Sequence, residues 1–523
     1  MNRALRICLS LSLLLILEAC SPASSALPAT NAPVTVLPRA DRPNILLILT
    51  DDLDSNLGTL DYMPNLQRVL KSQGLTIEDY FSTTPVCCPA RSSILRGQYA
   101  HNHQVFTNAA PVGGFGKFHS LANEASTVAV WLQAAGYRTA LFGKYLNGYP
   151  FSDNRTYIPP GWTEWYSPAR GTPYREFNYY LNENGRIIGY GLGENEYMTD
   201  VLSQKVVDFL GRSTSAQSPF FIYLSTYAPH EPAIPAPRHS GLFADLQIPR
   251  LPAFDEADVS DKVTDIKGNP PLDPAAIQNL DELYRQRVRS MQAVDEMIAR
   301  LVETLEGLEQ LQNTYIIFTS DNGFHMGQHR LNSGKGTPYE EDISVPFIIR
   351  GPGIPAGETL QGYLAGIIDL APTLADLAGV VPPDFVDGRS LVPLWLPNLP
   401  DQTHWRRGLL IEYFGSENET ASSSIQPVGL GLQDQLLEPP DPDEIMQTAP
   451  KVHFLALRTD KYLYSEYPDG QIEFYDLEND PYQLENLGPS ASPGLLEKYS
   501  AWLKQLASCS AASCRSVEQM GIR

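Results

Sequence analysis

"PNILLILTDD" (Pro43–Asp52) holds an unbroken apolar run, Ile45 to Leu49, that follows a proline and ends in two acids. An apolar run without polar alternation reads as a central strand covered on both faces, as in parallel sheets. The same texture returns in "PFFIYLSTYAPHEP" (219–232), "NTYIIFTSDNG" (313–323) and "VPFIIRGPG" (345–353). Helical spacing lies between these runs. "MPNLQRVLKSQG" (63–74), "STVAVWLQAAG" (126–136) leading into the strand-like "YRTALF", "SQKVVDFLGRS" (203–213) and the long amphipathic stretch 273–311 all carry it. Alternating helices and apolar strands predict an α/β architecture, a mostly parallel central sheet sandwiched by helices. Residues 235–274, rich in Pro and Asp, read as an irregular surface excursion.

After about residue 400 the texture changes. "KVHFLALRTDKYLYSEYPDGQIEFYDLENDPYQLENL" (451–487) reads as short strands with Pro-Asp-Gly turn chemistry, followed by a helix near 494–507. The expectation is a large unit over 42–400 and a smaller C-terminal antiparallel-sheet subdomain over 401–523.

The chain has 523 residues and a formal net charge of −22. That balance argues against a nucleic-acid partner, which wants a basic face. It leaves room for a small anionic substrate in a local basic pocket. Arg3 and Arg6 precede an apolar stretch, Ile7 to Leu17, too short for a comfortable membrane span. Residues 1–20 read as an export signal. "LEAC" (17–20) resembles a lipobox, so two outcomes stay open: removal of the leader, or a lipid anchor on Cys20 as the only membrane attachment. Residues 21–41, rich in Ala, Pro, Ser and Thr, read as a flexible linker. The protein is expected to be exported: periplasmic, a cell-surface lipoprotein, or secreted. Cys509 and Cys514 could close a small disulfide loop there.

Three apolar strands end in functional groups: Asp51 and Asp52, His230, and Asp321 with Asn322. In open α/β sheets, ligands bind outside the carboxyl ends of strands. Asp51, Asp52, Asp321 and Asn322 offer hard oxygens that suit Ca²⁺ or Mg²⁺ and not zinc. "DD" after a strand could instead be a helix cap, but two such sets favour a metal. In "TTPVCCPARSSILRG" (83–97), Pro89 suits a first helical turn, which puts Cys87 at a helix N-terminus, where anions bind and nucleophiles are activated.

Cys87-Cys88-Pro89-Ala90-Arg91 matches the C-x-P-x-R pattern of the type I, formylglycine-dependent sulfatases, and the chain resembles that family. "PNILLILTDD", "GKYLNGY", "YLSTYAPHEP", "FTSDNGFHMGQH", "KGTPYEEDISVPFIIRGPG" and "YDLENDPYQLENL" resemble its landmarks in order, from Arg42 to Leu487. "GKYLNGY", "YAHNH" and "GFHMGQH" are most similar to the N-acetylglucosamine-6-sulfatase and heparan endosulfatase branch. The resemblance implies an alkaline-phosphatase-like sulfatase fold. It also implies oxidation of Cys87 to formylglycine (3-oxoalanine) by a formylglycine-generating enzyme, with Cys88 a bystander.

The implied reaction is hydrolysis of a sulfate monoester, on a sulfated carbohydrate or an aryl sulfate. Hydrated formylglycine attacks sulfur with one hydroxyl, and loss of the other hydroxyl's proton expels sulfate. Ca²⁺, or alternatively Mg²⁺, is implied on Asp51, Asp52, Asp321, Asn322 and residue 87. Asp321 is also placed to take the attacking hydroxyl's proton, and Arg91 to fix the diol. Lys144 and Lys335 match sulfate-contacting lysines, and His230 a histidine that binds sulfate or protonates the leaving group. His325 is a further sulfate or substrate contact, while His101 and His103 support a helix end or line the rim. The chain departs from many sulfatases at Leu146, where a histidine usually serves sulfate release. Two rival readings remain: a phosphonate or phosphate monoester hydrolase of the same superfamily, and a catalytically dead protein that binds sulfated glycans.

Overall fold

The computed structural model describes residues 42–215, 218–415 and 453–522. The leader, Cys20 and the linker lie outside the described residues. In chain order the strands are β1 (Asn44–Thr50), β2 (Leu75–Ile77), β3 (Tyr80–Phe81), β4 (Arg138–Gly143), β5 (Glu164–Gly171), β6 (Tyr179–Glu183), β7 (Arg186–Tyr190), β8 (Phe220–Ser225), β9 (Thr314–Ser320), β10 (His325–Met326), β11 (Ser333–Gly334), β12 (Phe347–Arg350), β13 (Glu358–Leu360), β14 (Ala365–Gly366), β15 (Gly408–Tyr413), β16 (Phe454–Thr459), β17 (Tyr462–Glu466) and β18 (Ile472–Asp476).

Ten strands form one sheet in the order β13-β2-β12-β9-β1-β8-β4-β5-β6-β7. The five central strands, β9-β1-β8-β4-β5, run parallel. Every residue of β1 is buried, and its alternation explains the unbroken apolar run. Ile45, Leu47 and Leu49 face one layer, with Ile94 and Leu95 of the Cys87–Arg96 helix. Leu46 and Ile48 face the other, with Met291, Val294 and Ile298 of the Pro274–Gly307 helix. Truncating one such side chain, Leu47→Ala, costs about 3 kcal/mol through lost transfer energy and a residual cavity.

The long helix begins where Asp273 accepts the Ala276 amide, with Pro274 at its first position. Residues 235–274 are irregular apart from two short helical turns. "VPFIIRGPG" forms a strand, but an antiparallel one, paired with both β9 and β2. Beyond β5 the sheet continues as an antiparallel meander, β5-β6-β7, that the helix–strand alternation does not announce. Its tight turn is Asn184-Gly185, with φ of 52° and 88°. Both residues sit in the left-handed region that the two-residue hairpin turn demands.

The C-terminal strands form the antiparallel sheet β15-β16-β17-β18. The Pro493–Leu506 helix follows, and then a second helix, Ala512–Glu518, that the sequence reading lacks. A disulfide, Cys509–Cys514, closes the turn between them. The small sheet does not stand alone. Leu409, Ile411, Leu457 and Tyr464 share a core with Phe81, Tyr99, Tyr339 and Ile343. The described residues all belong to one compact unit. Among them, no helix is long and apolar enough to cross a membrane.

Candidate active site

Four adjacent parallel strands end at one edge. Thr50 of β1 is in register with Ser320 of β9, so Asp51 and Asp52 emerge beside Asp321 and Asn322. β4 delivers Lys144 and β8 leads to His230. Gly143 makes the last of these alignments possible, because a Cβ there would lie 1.8 Å from the Ser225 carbonyl oxygen. Above this edge stands the Cys87–Arg96 helix. Cys87 is its first residue and Arg91 lies one turn on, both fully buried.

The Cys87 thiol donates to Asp51 Oδ1 at 3.3 Å and reaches Asp52 Oδ1 at 3.8 Å. Lys335, just after β11, donates from Nζ to Cys87 Sγ at 2.9 Å and to Asp52 Oδ1 at 2.6 Å. Lys144 Nζ donates to Asp51 Oδ2 at 2.6 Å. Arg91 bonds Asp321 Oδ2 through Nε at 2.7 Å, and Ser225 Oγ and the Lys144 carbonyl through its Nη1. His230 Nε2 lies 3.6 Å from Asp52 Oδ2. Its Nδ1 donates to the Glu231 carbonyl at 2.7 Å. That bond fixes the tautomer and leaves Nε2 facing the acids.

The donor set fits a hard divalent cation. Ligand atoms of Asp51, Asp52, Cys87 and His230 lie within 4.8 Å of one another. Asp52 Oδ2 and Asn322 Oδ1 are buried with no hydrogen-bond partner. Asp321 contributes differently: its Oδ1 accepts the amides of Asp52 and Asn322 while Oδ2 serves Arg91. Asp51, Asp52 and Asp321 are balanced by Arg91, Lys144 and Lys335. A divalent ion would leave this pocket positive, which suits an anionic ester despite the acidic chain around it.

The cations govern protonation. Burial alone would raise the Asp51 carboxyl, but Lys144, Arg91, His230 and Lys335 together hold it far below the usual carboxylate range. Burial pushes Asp321 up to about 6, against Arg91 and with a push from Asp51. Burial, reinforced by Asp51, drives the Cys87 thiol well above its usual range in spite of Lys144 and Lys335. A cysteine here is a poor thiolate nucleophile. Burial likewise lifts its neighbour Cys88 to about 12.

Asp51, Asp52, Cys87, Arg91, Lys144, His230, Asp321, Asn322 and Lys335 therefore share one cluster. His325 is not among its bonded members: its Nδ1 binds both oxygens of Asp342, which also accepts from Thr337. His103 is buried against Ser93 Oγ, and His101 joins Glu412 to the Cys509 carbonyl, so both support the helix end. Leu146 packs in the core. One supporting residue escaped the sequence reading. Arg287, buried on the long helix, donates to the Asp52 and Pro229 carbonyls. Asp52 itself has φ of 65°. An arginine in line with Tyr284, Val288 and Met291 on the buried helix face was the available signal.

A family model described as Sulfatase matches residues 43–380. A segment of 388 residues, 73% of this chain, is 41% identical to an extracellular sulfatase SULF-1 homolog of Drosophila melanogaster, and spans 34% of that protein. The chain is 34% identical to the N-acetylglucosamine-6-sulfatase of Homo sapiens over 486 residues, 91% of this chain and 86% of that one. A solved structure described as in complex with its substrate D-glucosamine-2-N,6-O-disulfate matches with a TM-score of 0.68 at 24% identity, over 88% of this chain and 97% of that one. At that identity the likeness concerns the fold.

Proposed function

The chain belongs to the sulfatase family, and from that premise we propose that it hydrolyses sulfate monoesters on sugars, with glucosamine 6-sulfate units of glycosaminoglycans as the leading substrate. The observation that carries the reading is the seat of Cys87: first in its helix, fully buried, 2.9 Å from Lys335 and 3.3 Å from Asp51. A buried thiol among carboxylates is inert, whereas its formylglycine form would supply a hydrated aldehyde whose two hydroxyls serve attack on sulfur and release of sulfate. Asp51, Asp52, Asn322 and Asp321 would hold Ca²⁺ or Mg²⁺, which supplies Lewis-acid polarisation of a sulfate oxygen.

The chain's own groups do the rest. Lys144 and Lys335 neutralise the sulfate oxygens, so that a nucleophile can approach. Arg91, locked by Asp321 and Ser225, fixes the side chain at 87 from one helical turn away. Asp321, raised towards neutrality, is suited to take a proton from the attacking hydroxyl. With Nδ1 already donating to the Glu231 carbonyl, His230 would be the acid for the leaving oxygen in its doubly protonated form, giving the proton on Nε2. His325, held by Asp342, would be a further sulfate or substrate contact. With Leu146 in the core, the histidine that many sulfatases use for release has no counterpart at that position. The charged N-terminal leader supports export, with maturation by a formylglycine-generating enzyme.

The test is the mass of the tryptic peptide Ser72–Arg91 from chain matured with that enzyme, followed by turnover of 4-nitrophenyl sulfate, phosphate and phenylphosphonate. An aldehyde at 87 with Cys88 still a thiol, and sulfate turned over fastest, is the expected result. Two thiols would remove the nucleophile and favour a glycan-binding role. Faster phosphonate turnover would move the chain to the rival hydrolase class.

A further inference from the structure

Tyr174 lies in the turn Pro173–Arg175 that joins β5 to β6, on the antiparallel arm outside the parallel core. Its ring centroid is 4.6 Å from that of His230 and 4.8 Å from that of Tyr227, and Lys144 Nζ stands 4.9 Å away. Lys144, His230 and Tyr227 are buried, whereas Tyr174 is partly exposed. It is the solvent-side member of a group whose inner members reach Asp51 and Asp52.

The turn is held firmly. The Arg175 and Glu176 amides bond back to the Thr172 and Pro173 carbonyls at 2.9 Å each. Thr172 Oγ1 donates to the Phe177 carbonyl at 2.7 Å. Glu176 is buried and accepts from Thr199 N and Oγ1 at 2.9 and 3.0 Å, which ties the arm to the start of the Met198–Ser215 helix. Asn147 Nδ2 reaches Tyr174 Oη at 3.5 Å. A ring fixed by its scaffold loses little freedom when a ligand arrives.

We propose that Tyr174 is a specificity-determining residue that receives the leaving group, a pyranose ring whose C–H face lies against the exposed part of the tyrosine while its sulfate sits among Lys144, Lys335 and residue 87. The proposal rests on the sulfatase reading. An aromatic face is electron-rich and attracts the polarised C–H bonds of a flat sugar face. Ligand sites combine such apolar walls with a few fixed polar groups, and here the polar groups are the sulfate contacts.

The test uses full-length matured protein, wild type, Tyr174→Ala and Tyr174→Phe. KM for glucosamine 6-sulfate is measured together with inhibition by glucosamine and by inorganic sulfate. In the alanine variant KM and the glucosamine inhibition constant rise by about tenfold, and the sulfate inhibition constant shifts by less than about twofold. Phenylalanine restores most of the loss, and equal melting temperatures exclude misfolding. Equal weakening of sulfate and glucosamine inhibition overturns the proposal, because Tyr174 would then act only by positioning Lys144 and His230. Unchanged glucosamine inhibition overturns it as well. Wild-type protein that turns over 4-nitrophenyl sulfate but ignores glucosamine defeats this proposal alone. Protein that cleaves no sulfate ester defeats the sulfatase reading beneath it.

Discussion

Two of the buried charged groups among the described residues are built on opposite principles. In the small sheet, the Glu473 carboxylate accepts from the hydroxyls of Tyr339, Tyr467 and Tyr475 at 2.9, 2.5 and 2.9 Å. At the strand ends, Asp51, Asp52 and Asp321 crowd together, and Asp52 Oδ2, Asn322 Oδ1 and Arg91 Nη2 have no hydrogen-bond partner. A buried polar atom without a partner costs about 1–3 kcal/mol. Several in one place mark a site whose partners come from outside the chain. Both groups are deeply buried. The Glu473 group closes its hydrogen bonds within the chain, and the strand-end group does not.

The sharpest way to break this contrast is at Cys87. Cys87→Ala should lower 4-nitrophenyl sulfate turnover by at least about 10³-fold with the melting temperature unchanged; residual turnover near wild type would show that the strand-end group is not the reaction centre. Glu473→Ala should do the reverse. It strands three tyrosine hydroxyls, so urea unfolding should report a loss of about 3 kcal/mol while activity per folded molecule stays. Calcium at about 100-fold its dissociation constant should add about 2.7 kcal/mol of stability in calorimetry, less in Asn322→Ala and fully in Glu473→Gln. No response to any divalent ion would mean that the orphaned oxygens have another partner.

The smallest effect concerns the tie between the two regions. Burial alone would lower the His101 pKa, but Glu412 and the Cys509 carbonyl raise it from 6.5 to about 9. The folded value exceeds the unfolded one, so this stabilisation is complete below about pH 6.5 and fades as pH rises through 9. At about 1.4 kcal/mol per pH unit the full difference would be about 3 kcal/mol, and solvent screening of the partly exposed ring reduces it. His101→Gln should flatten stability across that window, and an unchanged pH profile would remove His101 from the account.

The strand-end site was legible because chemistry and pattern coincide there. A buried parallel strand must be apolar throughout, so the first polar residues past it, Asp51 and Asp321, stand out in sequence. Pro89 marks the helix start that places Cys87, and the resemblance of Cys87–Arg91 to the C-x-P-x-R pattern implied its role. The antiparallel arm was harder to read, although Asn184-Gly185 between Tyr-rich and Ile-rich runs is a hairpin signal. Without that hairpin, Tyr174 has no assigned place near the site. The Glu412–His101 contact was beyond reach, because 311 residues separate the partners and only tertiary packing joins them. The anchoring of the small sheet on the main core, through Tyr99 and Tyr339, follows for the same reason.

Asp52 carries one more consequence, which concerns the choice of amino acids open to position 52. Its left-handed backbone admits Gly, Asn and Asp readily and penalises β-branched or bulky residues. Arg287 holds its carbonyl from behind, so the peptide cannot simply rotate away. The proposed cation would ask separately for a carboxylate. Conformation and charge thus act as two independent filters, and aspartate is the residue that passes both. A library randomised at this codon should yield soluble protein with Asp, Asn and Gly, and active protein with Asp.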